Sequence, residues 1–136
     1  MSAPLDTTAQ DIALDALLGS GHASGVPSAF QLAIFDGDPT ALGAELTGGG
    51  GYARVTGITN NSTNFPNASG GSKAMAVQSF GTSTAAYDAV GAFYVLFDQA
   101  DGTTRWFYGP LVGPVYVPSA GVGVAIQPQI YWNTES

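Results

Sequence analysis

The sequence predicts an all-β chain, an antiparallel β-sandwich or jelly-roll-like fold with a short N-terminal helix, and three observations carry that prediction. Glycine (19 residues) and proline (8) are frequent while charged residues make up only 10%, a balance that favours short strands and turn-rich connections over charged helices. Short apolar or alternating runs recur, about seven or eight of them, each closed by Gly, Pro, Asn or Asp, which is the strand density of a sandwich. The last run alternates most cleanly: Val122, Val124, Ile126, Pro128, Ile130 and Trp132 share one parity against Gly123, Ala125, Gln127, Gln129 and Tyr131, as in a strand with one buried face.

The 136 residues suffice for one hydrophobic core. They divide into an N-terminal helix and linker arm, 1–28, and a sandwich domain, 29–136. Ten acidic against three basic residues give a net charge of -7, which excludes a phosphate-neutralising surface, so nucleic acid is not an expected partner. With no cysteine there is no disulfide framework, thiolate metal site or Cys nucleophile. The opening MSAPLDTTAQDIALDALL has neither a basic n-region nor an apolar h-region, and no window approaches the ~20 apolar residues of a membrane span. The expectation is a soluble, unprocessed chain with no membrane partner. A surface built from Ala, Gly, Ser, Thr and Asn suits a protein that lies against other protein.

Taken in order, Leu5, Ala9, Ile12, Ala13 and Ala16 fall on one helical face, with Asp6, Asp11 and Asp15 elsewhere. Thr7 and Gln10 have capping-box spacing, so residues 6–18 are predicted as a short amphipathic helix. Gly19 and Gly21 stop it, and the linker to Ser28 allows docking on its own domain or on a neighbour. Phe30 to Phe35 is apolar on both faces, as in a strand covered on each side, and Asp36-Gly37-Asp38-Pro39 turns the chain. Gly48 to Gly51 form a bend needing a backbone conformation that favours glycine, before a strand beginning at Tyr52-Ala53-Arg54-Val55. Residues 58–72 read as a long exposed polar loop. Ala74 to Phe80 resumes a strand, and Tyr87 to Asp98 is the most apolar run and the expected central strand. Asp98 to Gly102 is a hairpin turn, Arg105 to Tyr108 the return strand, and Gly109-Pro110 its end. Pro128 makes the last strand an edge, or bends it midway.

No catalytic signature is present. Asp36 and Asp38 flank a glycine as at the start of a calcium loop, but the remaining ligands are missing, and pairing of these carboxylates with Arg54 is the preferred reading. Gly48 to Gly51 and Gly70-Gly71-Ser72-Lys73 lack the Gly-Lys-Ser/Thr that opens a helix in a phosphate loop. His22 is the sole histidine and sits in the linker. A two-carboxylate glycosidase would have to draw on Asp36, Asp38, Glu45, Asp88, Asp98 and Asp101, all in turns or strand ends where solvated caps are usual. No catalytic, cofactor-binding or metal residue is assigned, no cofactor is expected, and the chain does not read as an enzyme. Trp106, Tyr108, Tyr131 and Trp132 are candidates for an aromatic platform facing a sugar or a protein, against packing as the commoner role.

The order of motifs resembles one family. Leu17-Leu18-Gly19, then FQLAIFDGDP from Phe30 to Pro39, then ELTGGGGYAR from Glu45 to Arg54, are similar to small virion proteins of tailed bacteriophages, in which a strand closing on Asp-Pro precedes a GGGYAR strand start. Val90 to Asp98, Tyr108-Gly109-Pro110-Leu111 and Val117 to Val124 continue the similarity over nearly the whole chain. The chain departs in its longer 58–72 loop and in Pro128. The resemblance implies a β-sandwich assembled into the virion as a head fibre, tail fibre or capsid decoration protein. Decoration of the capsid exterior is preferred, with the major capsid protein and further copies of the chain as partners, in a homotrimer or, second, a dimer. The alternative is a tail-fibre or minor-tail module binding a host surface receptor or glycan. An exposed cluster of loop 58–72 with Trp106 and Trp132 would favour the receptor reading, and apolar area left on the helix and strand edges would favour shell docking.

Overall fold

The computed structural model describes residues 6–131, in which eight strands in antiparallel pairs, one α-helix and a 3-10 turn at Gly49–Gly51 form the fold. Strands β1 (Ala29–Phe35) and β5 (Gly91–Asp98) are the centre of a four-stranded sheet, flanked by β2 (Val55–Thr59) and β6 (Arg105–Val115) in the order β2-β1-β5-β6. These central strands come from the two apolar runs, and each fills both faces of the sheet. Phe30, Leu32 and Ile34 of β1 and Tyr94 and Leu96 of β5 enter the main core, while Ala33, Phe35, Val95 and Phe97 form a smaller cluster on the other face.

Opposite the main core, β3 (Ser72–Ala74) pairs with β8 (Gln129–Tyr131) and β4 (Gln78–Thr82) with β7 (Gly123–Ile126). Together they make one ribbon broken in the middle, where the Met75 N–H donates to the Pro128 carbonyl at 3.0 Å. Pro128 has no N–H to give a ladder, so the C-terminal strand bends there as expected, and Ala74 to Phe80 divides with it. The parity survives the break: Val124, Ile126, Pro128 and Ile130 are all buried. The result is a sandwich of unequal layers, with sheets of four, two and two strands rather than the two four-stranded sheets of a jelly roll.

Helix α1 (Thr7–Leu17) starts from Asp6 without a side-chain cap, so the Thr7–Gln10 box is not its cap. Its orientation also reverses the expectation. Ala9, Ile12 and Ala16 face water, and the inward side carries Leu14 together with Asp11 and Asp15; Leu5 lies outside the described residues. The cause is hydrogen bonding that apolar periodicity does not register. Asp11 accepts from the Gly71 N–H and Asp15 from the Ala68 N–H, each at 2.8 Å, and Asp15 also takes the Lys73 ammonium at 2.7 Å. Leu14 and Leu18 sit in the same core as the sheets, so segment 1–28 does not stand apart as an arm over its described part.

The 58–72 segment is likewise not an exposed loop throughout. Ile58 belongs to β2, and Asn60 and Phe65 are buried. Asn60 accepts from the Gly19 N–H at 2.7 Å and donates to the carbonyls of Leu17 and Pro27, while Phe65 meets Phe30 edge-on at 5.7 Å. β6 runs on through Gly109-Pro110 instead of ending there, because an edge strand tolerates a missing N–H. Its pairing jumps from Phe93↔Pro110 to Gly91↔Val115, so residues 111–114 bulge. At the glycine bend, Gly50 and Gly51 have φ of +71° and +82°, and a Cβ on Gly50 would come within 2.7 Å of the Ala85 and Ala86 carbonyls. The strand after it starts at Val55, later than Tyr52.

Candidate functional site

Arg54 does not pair with Asp36 or Asp38. A bridge between Phe35 and Glu45 brings Glu45 alongside instead, and the guanidinium grips it in two-point fashion, Nε to Oε2 at 2.9 Å and Nη2 to Oε1 at 2.8 Å. Nη1 reaches Gln31 Oε1 at 3.1 Å and the Gly102 carbonyl at 2.6 Å, and the guanidinium lies 4.1 Å over the Phe97 ring. The Tyr52 hydroxyl donates to Glu45 Oε2 at 2.9 Å and accepts the Ile34 N–H at 3.0 Å. Burial pushes the Tyr52 hydroxyl well above its ordinary pKa, and the hydrogen bonds that Arg54 donates to Glu45 raise that of Arg54. These partners tie β1, the glycine bend and the β5–β6 turn together, so the group is a clamp.

The other carboxylates hold turns. Asp36 accepts from the Ala44 N–H at 2.8 Å, and Asp38 from the Thr40 N–H at 2.8 Å and its hydroxyl at 2.6 Å. Asp88 takes the N–H and hydroxyl of Thr47, Asp98 the Ala100 N–H, and Asp101 both Thr103 and Thr104. Hydrogen bonds from the partner threonines lower the pKa values of Asp38, Asp88 and Asp101, the last to about 2. His22 Nδ1 lies 3.1 Å from the Ala23 carbonyl on the surface. Among the described residues, no three or more His, Cys, Asp or Glu side chains gather as a metal set would. Lys73, only 1% exposed, is spent on Asp15 and the Pro66 carbonyl rather than on a phosphate.

Three of the four predicted platform aromatics do converge. Trp106 and Tyr108 of β6 and Tyr131 of β8 line an open cleft of about 560 Å³ along the free edge of β6, with Phe93, Pro110 and Gln129; Trp132 lies outside the described residues. Tyr94 shapes its floor. Its ring lies against Gly109, where a Cβ would sit 3.0 Å from Cε1, and its hydroxyl donates to the Gln129 carbonyl at 3.4 Å. Burial raises the pKa of that hydroxyl. Arg105 stacks 5.2 Å from the Tyr108 ring and donates to the Pro39 carbonyl at 3.1 Å. A second cleft of about 500 Å³ follows the bulge, between Leu111–Val115 and Ala125–Gln127, and Gln129 lines both. The Glu45–Arg54 and Asp15–Lys73 pairs escaped sequence reasoning; the one available signal was that Lys73 is the only lysine, set in a strand-like run. Compared with known proteins, the chain matches no family model and no curated protein.

Proposed function

We propose that the protein is a structural component of a tailed-phage virion, a decoration or cement protein that binds the outside of the head and holds neighbouring major capsid subunits together. One observation carries this reading: large apolar side chains are left in water on the helix and on the free edge strand and its exit. Ile12 is 66% exposed, Val112 91% and Tyr116 67%. Fully burying one such side chain is worth about 1.5–3 kcal/mol. Repeated over copies tethered to one shell, contacts of that size sum to firm attachment without any chemical step. The charge of -7 suits a location away from packaged DNA, and the order of motifs adds the family resemblance. Self-association as a trimer, or second a dimer, gives each copy more than one anchor.

The exposed aromatic cleft favours a second reading, a tail-fibre or minor-tail module that binds a host surface. The 58–72 segment lends it less, because Asn60 and Phe65 turn inward. Co-sedimentation of the protein with separated heads and tails, with copies counted per particle, distinguishes the two. Copies on heads in step with the capsomer number support decoration; a few copies on tail tips support the module, and binding to neither overturns both.

A further inference from the structure

We infer that the cleft between β6 and β8 is a binding site for a neutral carbohydrate. Such a site belongs to the folded chain itself and does not depend on the proposed attachment to a phage head. None of the ten residues lining the cleft is charged, in a chain of net charge -7. The lining offers an anionic ligand no cation, the neighbouring Arg105 being engaged with the Tyr108 ring and the Pro39 carbonyl, and it offers a cationic ligand no carboxylate. What the cleft offers is ring surface, with Trp106 37%, Tyr108 45% and Tyr131 67% exposed around one opening. Beside the rings lie polar groups that make no side-chain hydrogen bond to another described residue: the Trp106 indole N–H, the Gln129 side-chain amide, and the Tyr131 hydroxyl, which interacts electrostatically with that of Tyr94. A saccharide ring has that same division, with C–H faces that lie on aromatic rings and hydroxyls at its rim that take donors and acceptors. The volume falls within the roughly 300–1,000 Å³ usual for small-ligand sites.

The walls are held before any ligand arrives. Arg105 fixes the Tyr108 ring from one side, and Tyr94, crossing Gly109 to the Gln129 carbonyl, links β6 to β8. A preset site avoids the ordering cost that a mobile one would incur. Strand addition along β6 is the obvious competitor for this edge. Pro110 and Pro114 lack donors there, and the bulge at 111–114 interrupts the edge, so recognition falls to side chains.

The test is a titration of the folded protein, observed through ¹⁵N-labelled tryptophan indole resonances. The probes are neutral gluco-, galacto- and N-acetylglucosamine oligosaccharides, sialylated and uronate oligosaccharides, and a proline-rich peptide. A Trp132→Phe variant assigns the Trp106 signal. The expected result is a saturable shift of the Trp106 resonance with at least one neutral oligosaccharide. That binding should weaken at least tenfold in Trp106→Ala and also in Tyr131→Ala, whose exposed ring can be removed without disturbing the core. Failure of every neutral oligosaccharide, a response confined to the anionic sugars or the peptide, or undiminished binding in a folded Tyr131→Ala variant would each overturn the assignment.

Discussion

The two margins of the sandwich are finished by opposite means. Where α1 meets the segment before β3, polar groups seal the layer: Asp11 and Asp15 take backbone N–H groups, Lys73 is buried against Asp15, and Asn60 ties Gly19, Leu17 and Pro27. Where β6 ends the four-stranded sheet, no strand among the described residues pairs with its edge, and Trp106, Tyr108 and Val112 stay in water. Polar groups buried in mutual satisfaction hold a fold in one arrangement, because each partner is costly to orphan. Apolar groups left on an edge add nothing to the isolated fold and are available for a partner. The helix margin is thus the place to break stability, and the β6 margin the place to break binding.

Lys73→Ala should have the largest effect on stability. It leaves a cavity in the core and strips the Pro66 carbonyl and Asp15 of their shared donor, for a loss of about 3 kcal/mol in urea unfolding. Lys73→Met keeps the volume and should lose much less, about 1 kcal/mol. Gly50→Val comes next, because a β-branched residue at φ +71° is strained and its Cβ would press on two carbonyls; a loss of about 2 kcal/mol is expected, and unchanged melting would contradict it.

Acid should act on the carboxylates. In Asp15, burial raises the pKa, but the Lys73 hydrogen bond, the Ala68 N–H and the Lys73 charge outweigh it, and the net shift is downward. With Asp38, Asp88 and Asp101 also lowered, the folded state holds these protons more weakly than the unfolded chain does. Their contribution is therefore complete above the ordinary carboxylate pKa of about 4 and fades as pH falls toward the Asp101 value of about 2. A melting temperature flat from pH 7 to 5 and declining below about 4 is expected. The smallest effect on the isolated fold belongs to Val112→Asp on the β6 bulge, within about 0.5 kcal/mol of the parent.

Much of the sheet was legible in the sequence. The apolar run Phe30–Phe35 and, of the run Tyr87 to Asp98, the part from Gly91 onward are the central strands, the alternation from Val122 to Ile130 marks the buried face, and Pro128 marks its break. These follow from local rules of period and missing donors. The helix orientation was not legible, because it is set by N–H groups at 68 and 71, some 50–60 residues away, that need acceptors. The Glu45–Arg54 clamp escaped for a related reason: Glu45 is nearer to Arg54 in sequence than Asp36 or Asp38, but only the fold shows that those two are claimed by their own turns and that Glu45 is brought alongside. Of the candidate site, the aromatic residue types were visible, whereas their convergence on one cleft depends on β8 returning beside β6.

The division between a sealing margin and a binding margin is tested most directly by comparing Val112→Asp/Tyr116→Asp with Lys73→Met, measuring for each the melting temperature and the copies retained on phage heads after sedimentation. The β6 double variant should melt like the parent and be lost from heads, while Lys73→Met should melt lower and stay bound below its melting point. Full retention of the double variant on heads would contradict that division.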